Sequence, residues 1–207
     1  MARLSSVADL RKILPDPRST TKAKILDSLD QQSIDFLKRC PFALIGTVSA
    51  DGTIEVSPKG DEPGFIRVED PRTLLIPERV GNNLAFGLSN MIANGKIGMI
   101  CLVPATGETL RVSGTAEVHD DPDLVAQLSS LGKPALLATR VKIQHCYFHC
   151  ARSVVRAGLW KPESWPVPGR VSFGKIIAPR VGAGEDVAQQ IDTMVEGAYT
   201  TRLWSNS

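Results

Sequence analysis

Four short segments gather the residue types that chemistry needs. Residues 56–65 place Ser57, Lys59, Gly60 and Gly64 where a strand leaves a sheet. Exposed backbone N–H groups beside a Lys make an anion cradle, and a solvated hairpin loop is the ordinary alternative. Residues 76–83, Ile76-Pro77-Glu78-Arg79-Val80-Gly81-Asn82-Asn83, set an Arg and two Asn before a helix. Asn is a strong N-cap, and a helix start offers free N–H donors on which Arg79 could help close around a phosphate. One such contact contributes only ~0.3–1 kcal/mol. Micromolar binding needs about −8 kcal/mol, so several contacts must converge; otherwise this is a capped helix and a surface Arg.

The third segment, residues 107–114, reads as a strand with Thr109, Arg111 and Ser113 on one face and Leu110 and Val112 on the other. Its polar face meets solvent or a ligand. The fourth, His145-Cys146-Tyr147-Phe148-His149-Cys150, invites zinc. Alternation through Val141, Lys142, Ile143 and Gln144 favours a strand, which sends the Cys and His to opposite faces. Closed zinc sites draw ligands from separated segments, so buried thiols are the better reading and no metal is expected. The chain has no GxSxG elbow, HExxH pair, GxxxxGK[ST] loop or strand–GxGxxG–helix unit.

The elements that must position these groups follow from periodicity. Val7, Leu10, Ile13 and Leu14 keep a helical period up to Pro15, and a second helical region runs from about residue 20 to 38. Strands fit 42–48 and 53–57 around an Asp51-Gly52 turn, then 65–68, 73–76, 96–103, 109–118 and 141–144. Helices are expected at about 83–93, after Asp121-Pro122 with Leu124, Leu128 and Leu131 on one face, and at 185–199. Residues 161–184, rich in Pro and Gly, read as a loop. Six or seven strands arriving mainly as hairpins argue for an antiparallel barrel over a doubly wound sheet.

Composition sets outer bounds. The 207 residues carry a net charge of +2, with 43% hydrophobic and 22% charged residues, which is an ordinary globular balance. Near-neutrality and few aromatics argue against a nucleic-acid binder. Charges every few residues at the start argue against a secretory signal. No apolar run approaches the ~20 residues that span a bilayer, so no membrane is expected. Four cysteines without scaffold spacing read as reduced thiols in a cytoplasmic protein.

Together the segments resemble the FMN-binding split-barrel proteins related to pyridoxamine 5′-phosphate oxidase, in an uncharacterised bacterial branch labelled FMN-dependent. The motifs that carry the resemblance are PF..IGT at 41–47, ADG…VSPKGD.PGF at 50–65, IP.R.GNN at 76–83, VP..GETLRV.G.A at 103–116 and FHC…R..LW at 148–160. They run in register over roughly residues 20–165.

The resemblance implies a mainly β protein with flanking helices, a six-stranded antiparallel FMN-binding split barrel. It implies a homodimer with FMN at the subunit interface and a small-molecule substrate. Residues 1–40 would be a helical segment packing on the barrel, 41–165 the barrel, and 166–207 a C-terminal loop and helix, all within one structural domain. Ser57, Pro58, Lys59 and Gly60 carry over as flavin contacts, and Ile76, Pro77, Arg79, Asn82 and Asn83 as the segment reaching the phosphate. Arg111 sits on a strand that approaches the site, and Trp160 with Lys161 contributes from the C-terminal part, on either subunit. Leu84 stands where close relatives carry Arg, which weakens the phosphate grip or shifts it to Arg79 and Lys59. A Ser-Arg-Lys run is lacking, which argues against pyridoxamine phosphate as substrate.

The activity implied is an FMN-dependent oxidoreductase working by hydride or electron transfer, which needs no protein nucleophile. Reduction puts negative charge on the N1–C2=O edge of the ring. Lys59, or backbone N–H groups near Gly60, would stabilise it. The alternatives are a non-catalytic flavin carrier or sensor, and a haem- or F420-binding relative on the same barrel.

Overall fold

The computed structural model describes residues 3–81 and 83–204. Seven strands form one sheet: β1 (Phe42–Val48), β2 (Ile54–Gly60), β3 (Arg67–Asp70), β4 (Thr73–Glu78), β5 (Lys96–Leu102), β6 (Thr109–His119) and β7 (Leu137–His149). Their spatial order is β2-β1-β5-β6-β7-β4-β3, and every pairing is antiparallel. Flanking them are α1 (Val7–Ile13), α2 (Ser19–Lys22), α3 (Gln31–Leu37), α4 (Phe86–Asn94), α5 (Pro122–Gln127), α6 (Arg152–Arg156), α7 (Phe173–Ile177) and α8 (Glu185–Thr201). The protein is therefore mainly β with flanking helices, with seven strands where six were implied. No helix among the described residues is long and apolar enough to cross a membrane.

Alternation builds the core. Ala43, Ile45 and Thr47 of β1, Ile97, Met99 and Cys101 of β5, and Leu110, Val112 and Ala116 of β6 point inward, where Phe36 and Leu37 of α3 and Met91 of α4 join them. Each large apolar side chain so buried contributes about 1.5–3 kcal/mol. A smaller cluster, Leu75, Leu124, Leu128, Ala135 and Ala138, lies under α5. The β6–β7 ladder shifts register at Ser113/Gly114. A Cβ on Gly114 would stand 2.0 Å from the Lys142 carbonyl oxygen, so the bulge requires glycine there.

Four local expectations change. The helical region at 20–38 is two helices, because Leu26 leaves the spiral to bridge to Cys146 and the Leu29 N–H bonds to the Pro71 carbonyl. Asp30 then caps α3 through the Ser33 N–H. The helix expected from residue 83 starts at Phe86, because Asn83 and Ala85 take left-handed backbone angles (φ 59° and 51°), so Asn83 is not its cap. Leu131, with φ 48° and its side chain exposed, lies beyond α5 and off its apolar face. Within 161–184 the chain forms two short 3-10 turns and α7, whose start is capped by the Ser172 hydroxyl and held to Asp192 of α8.

Strands β2 and β4 are not hydrogen-bonded neighbours, yet Lys59 of β2 forms an ion pair with Glu78 of β4. One residue beyond the end of each strand, Arg79 Nε lies 2.6 Å from Asp61 Oδ2. The sheet thus curls until the two strands meet, and side-chain charges close a split that no backbone ladder spans.

Candidate cofactor site

Strand β2 presents two faces. Ser57 and Lys59 turn toward the interior of the split and are half-buried, whereas Pro58 and Gly60 turn outward and are exposed. A Cβ placed on Gly87, in the first turn of α4, would stand 3.7 Å from Ser57 Oγ and 3.8 Å from Thr47 Oγ1. Ser57 therefore faces the start of α4. That start has no side-chain cap at Ala85 and no acidic residue in its first turn. It is anchored from within by Asn90 Nδ2, which donates to Thr47 Oγ1 at 3.1 Å.

Both cations nearest the split are paired. Lys59 donates to Glu78 Oε2, and Thr139 Oγ1 donates to Glu78 Oε1 at 3.0 Å. Arg79 donates to Asp61 through Nε, to the Leu128 carbonyl at 2.7 Å and to the Lys133 carbonyl at 3.4 Å. Asp61 also accepts from Ser130 Oγ at 2.7 Å and from Trp204 Nε1 at 3.0 Å. Burial pushes the Asp61 carboxyl up, but the hydrogen bonds from Trp204, Ser130 and Arg79 outweigh it and hold the group below its ordinary value. Beside this network lies a hollow of about 230 Å³, whose walls include Phe65, Arg67, Pro77 and Ser130.

The remaining residues singled out in the sequence lie in three places. Ile76 and Pro77 are buried in β4, opposite Thr139 and Ala138 of β7. Asn83 is exposed just before α4, and Asn82 lies outside the described residues. Arg111 is on the outer face of the sheet, its guanidinium 5.6 Å from the Tyr147 ring centre. Strand register puts Pro58, Leu44, Ile100, Arg111 and Tyr147 in one row across five strands. At about 4.8 Å per strand, Pro58 and Arg111 are roughly 14 Å apart. Trp160 Nε1 donates to the Thr106 carbonyl at 2.8 Å, on the β5–β6 turn.

The structure thus gathers Ser57, Lys59, Pro77 and Arg79 around the split, and sets Arg111 and Trp160 apart from them. Glu78, Asp61 and Thr139 were not singled out from the sequence, although Lys59 and Asp61 recur two apart and Glu78 adjoins Arg79. That repeated juxtaposition of opposite charges was the available signal.

The outer face beside β2 is apolar. Ile54 and Val56 are 72% and 60% exposed, and Phe42 and Leu44 of β1 are exposed further along the same face, opposite Gly60 and Pro58. A shallow hollow of about 510 Å³ crosses the same face, floored by Gly46 and Gly98, which pair directly across β1 and β5. In the fourth segment Cys146 is buried and His145 exposed, because the register shift opposite Ser113/Gly114 leaves Gln144 and His145 both exposed and reverses the alternation that buries Val141 and Ile143. Among the described residues no group of three or more His, Cys, Asp or Glu side chains is placed to hold a metal ion.

A family model described as pyridoxamine 5′-phosphate oxidase matches residues 29–150. No curated protein matches the sequence. Among solved structures, the chain is similar to HupZ of Group A Streptococcus, with 18% identity over 58% of this chain and 93% of that one and a TM-score of 0.48. It is similar to a Clostridium acetobutylicum protein of the pyridoxinephosphate oxidase family related to general stress protein 26, with 13% identity over 57% and 86% and a TM-score of 0.45. It is also similar to the FAD binding protein from Mycobacterium smegmatis, with 21% identity over 60% and 97% and a TM-score of 0.42.

Proposed function

Because the chain belongs to the pyridoxamine 5′-phosphate oxidase family, we propose that it is an FMN-binding flavoprotein, an FMN-dependent oxidoreductase acting on a small molecule. The observation that carries this reading is the start of α4. A helix N-terminus with no side-chain cap at Ala85 and no acidic residue in its first turn, faced by the Ser57 hydroxyl and lined by a glycine, is a donor set that suits a phosphate. FMN would supply hydride or electron transfer, a chemistry that protein side chains lack.

In this reading Ser57, Asn83 and the first-turn amides of α4 receive the phosphate. The β2 backbone through Pro58 and Gly60 runs along the ring, which lies on the side of the strand that Lys59 faces. Ile76 and Pro77 fix the backbone of β4, while Arg79 holds the loop after β2 in place through Asp61. Arg111 and Trp160, remote from the split within one chain, act across a homodimer. The exposed Ile54, Val56, Phe42 and Leu44 support such a dimer, since they form an apolar face fit for burial against a second copy. The four free cysteines suit a reducing cytoplasm.

The visible spectrum of the purified protein tests the reading, with mass spectrometry of whatever denaturation releases. Bound FMN is expected, with loss of the yellow absorbance when a reduced nicotinamide or the substrate is added. Colourless protein that takes up no added FMN would overturn it. Bound flavin that every donor leaves oxidised would favour a carrier over an enzyme.

A further inference from the structure

Among the described residues, Glu78 is the charged residue buried as a whole, at 3% exposure. Both of its oxygens are engaged, Oε1 by the fully buried Thr139 and Oε2 by Lys59, whose side chain is 24% exposed. A buried ion pair adds little stability over apolar side chains of similar size, because desolvation offsets the attraction. Such a pair has its effect on where its charges are held. We infer that Glu78 is a positioning residue for Lys59: it draws the ammonium across the split, fixes it beside β2 and cancels its charge toward the ligand.

This rests on the flavin reading above and adds to it which residue sets the electrostatics of the site. A free ammonium beside the ring favours the reduced, more negative flavin more strongly than one already neutralised by a carboxylate. The wild-type site therefore favours reduced flavin less than Lys59 alone would. Thr139 keeps the Glu78 carboxylate from turning away.

The test uses the full chain in three variants: Glu78→Gln, Lys59→Met and the double substitution. The first readout needs no flavin. Acylation of Lys59 by an N-hydroxysuccinimide ester, followed by mass spectrometry, should run several-fold faster in Glu78→Gln, and Glu78→Asp should restore slow labelling. The second readout is the potential of bound FMN. Glu78→Gln should favour reduced over oxidised FMN about tenfold more than wild type, a positive shift of about 30 mV for a two-electron couple. In the Lys59→Met background the same substitution should shift the potential clearly less, because no ammonium is there to be released.

Unchanged labelling in Glu78→Gln would overturn the inference. So would faster labelling with an unmoved potential, or an equal shift with and without Lys59. Wild-type protein that takes up no FMN would remove the flavin reading, and the labelling would still decide whether Glu78 holds Lys59.

Discussion

Arg79 and Asp61 meet at 2.6 Å with their side chains 11% and 1% exposed, joining the end of β4 to the end of β2. Eighteen residues separate them in sequence, and the curl of the sheet brings them together. Removing one member of such a pair leaves the other charge buried without its partner. Arg79→Met is therefore expected to lower unfolding stability by about 3–5 kcal/mol. Replacing both, as Arg79→Met with Asp61→Leu, should recover most of that loss. Urea denaturation followed by circular dichroism measures both, and a loss under about 1 kcal/mol for the single variant would mean that water reaches the pair.

Asp61 also gives the fold a defined acid sensitivity. Its carboxyl is held below the ordinary 3.8 by the folded structure. A depressed value means that the unfolded chain takes up a proton first as pH falls. The stabilisation is complete above about pH 3.8 and fades as pH drops through the lower folded value. Asp61→Asn should be less stable at neutral pH, and its loss of stability below pH 3.8 should be shallower than that of wild type. Urea midpoints between about pH 2 and 6 report the difference, and parallel curves would show that Asp61 does not titrate with unfolding.

The strands were legible because one buried face per strand imposes a period of two, and this held through β1, β5 and β6. The start of α4 was misread because Asn83 carries the chemistry of a cap but sits in a left-handed turn before the helix. The short α7 escaped because its hold on Asp192 comes from twenty residues away. The same limit applies at the split. Lys59 and Arg79 read as free cations in sequence, and their acidic partners emerge only once β2 and β4 are brought together. Local motifs located the site, and long-range closure determined the charge it offers.

The outer face of β2 bears on assembly. Val56 and Ile54 are exposed on an edge strand, on the same face as the exposed Phe42 and Leu44 of β1. Under the homodimer reading these side chains are buried against the second copy, each contributing about 1.5–3 kcal/mol. Val56→Glu would place a charge in that contact and should raise the dimer dissociation constant tenfold or more, roughly the loss of one such side chain. The fold of each protomer should survive, since Val56 packs on nothing inside the barrel. Sedimentation equilibrium across a concentration series decides, and a variant as dimeric as its parent would remove this face from the interface.

The four cysteines should separate into one reactive thiol and three inert ones. Cys150 is exposed at the end of β7, and a hydrogen bond with Arg152 holds its thiol below the ordinary value. More of it is thiolate at neutral pH, so it should be alkylated first. Cys146, three residues before the end of the same strand, is buried, and burial followed by the charges of Asp30 and Asp27 pushes it up to about 11. Cys101 is pushed well up by its hydrogen bond with Cys40 and by burial, and both thiols lie in the core. Iodoacetamide on the native protein should therefore modify Cys150 alone, and the other three should react only in denaturant. Arg152→Ala should slow Cys150 by removing the donor that stabilises its thiolate. Peptide mass spectrometry at timed quenches reads each site separately, and equal native rates at Cys146 and Cys150 would contradict the burial of one and the exposure of the other.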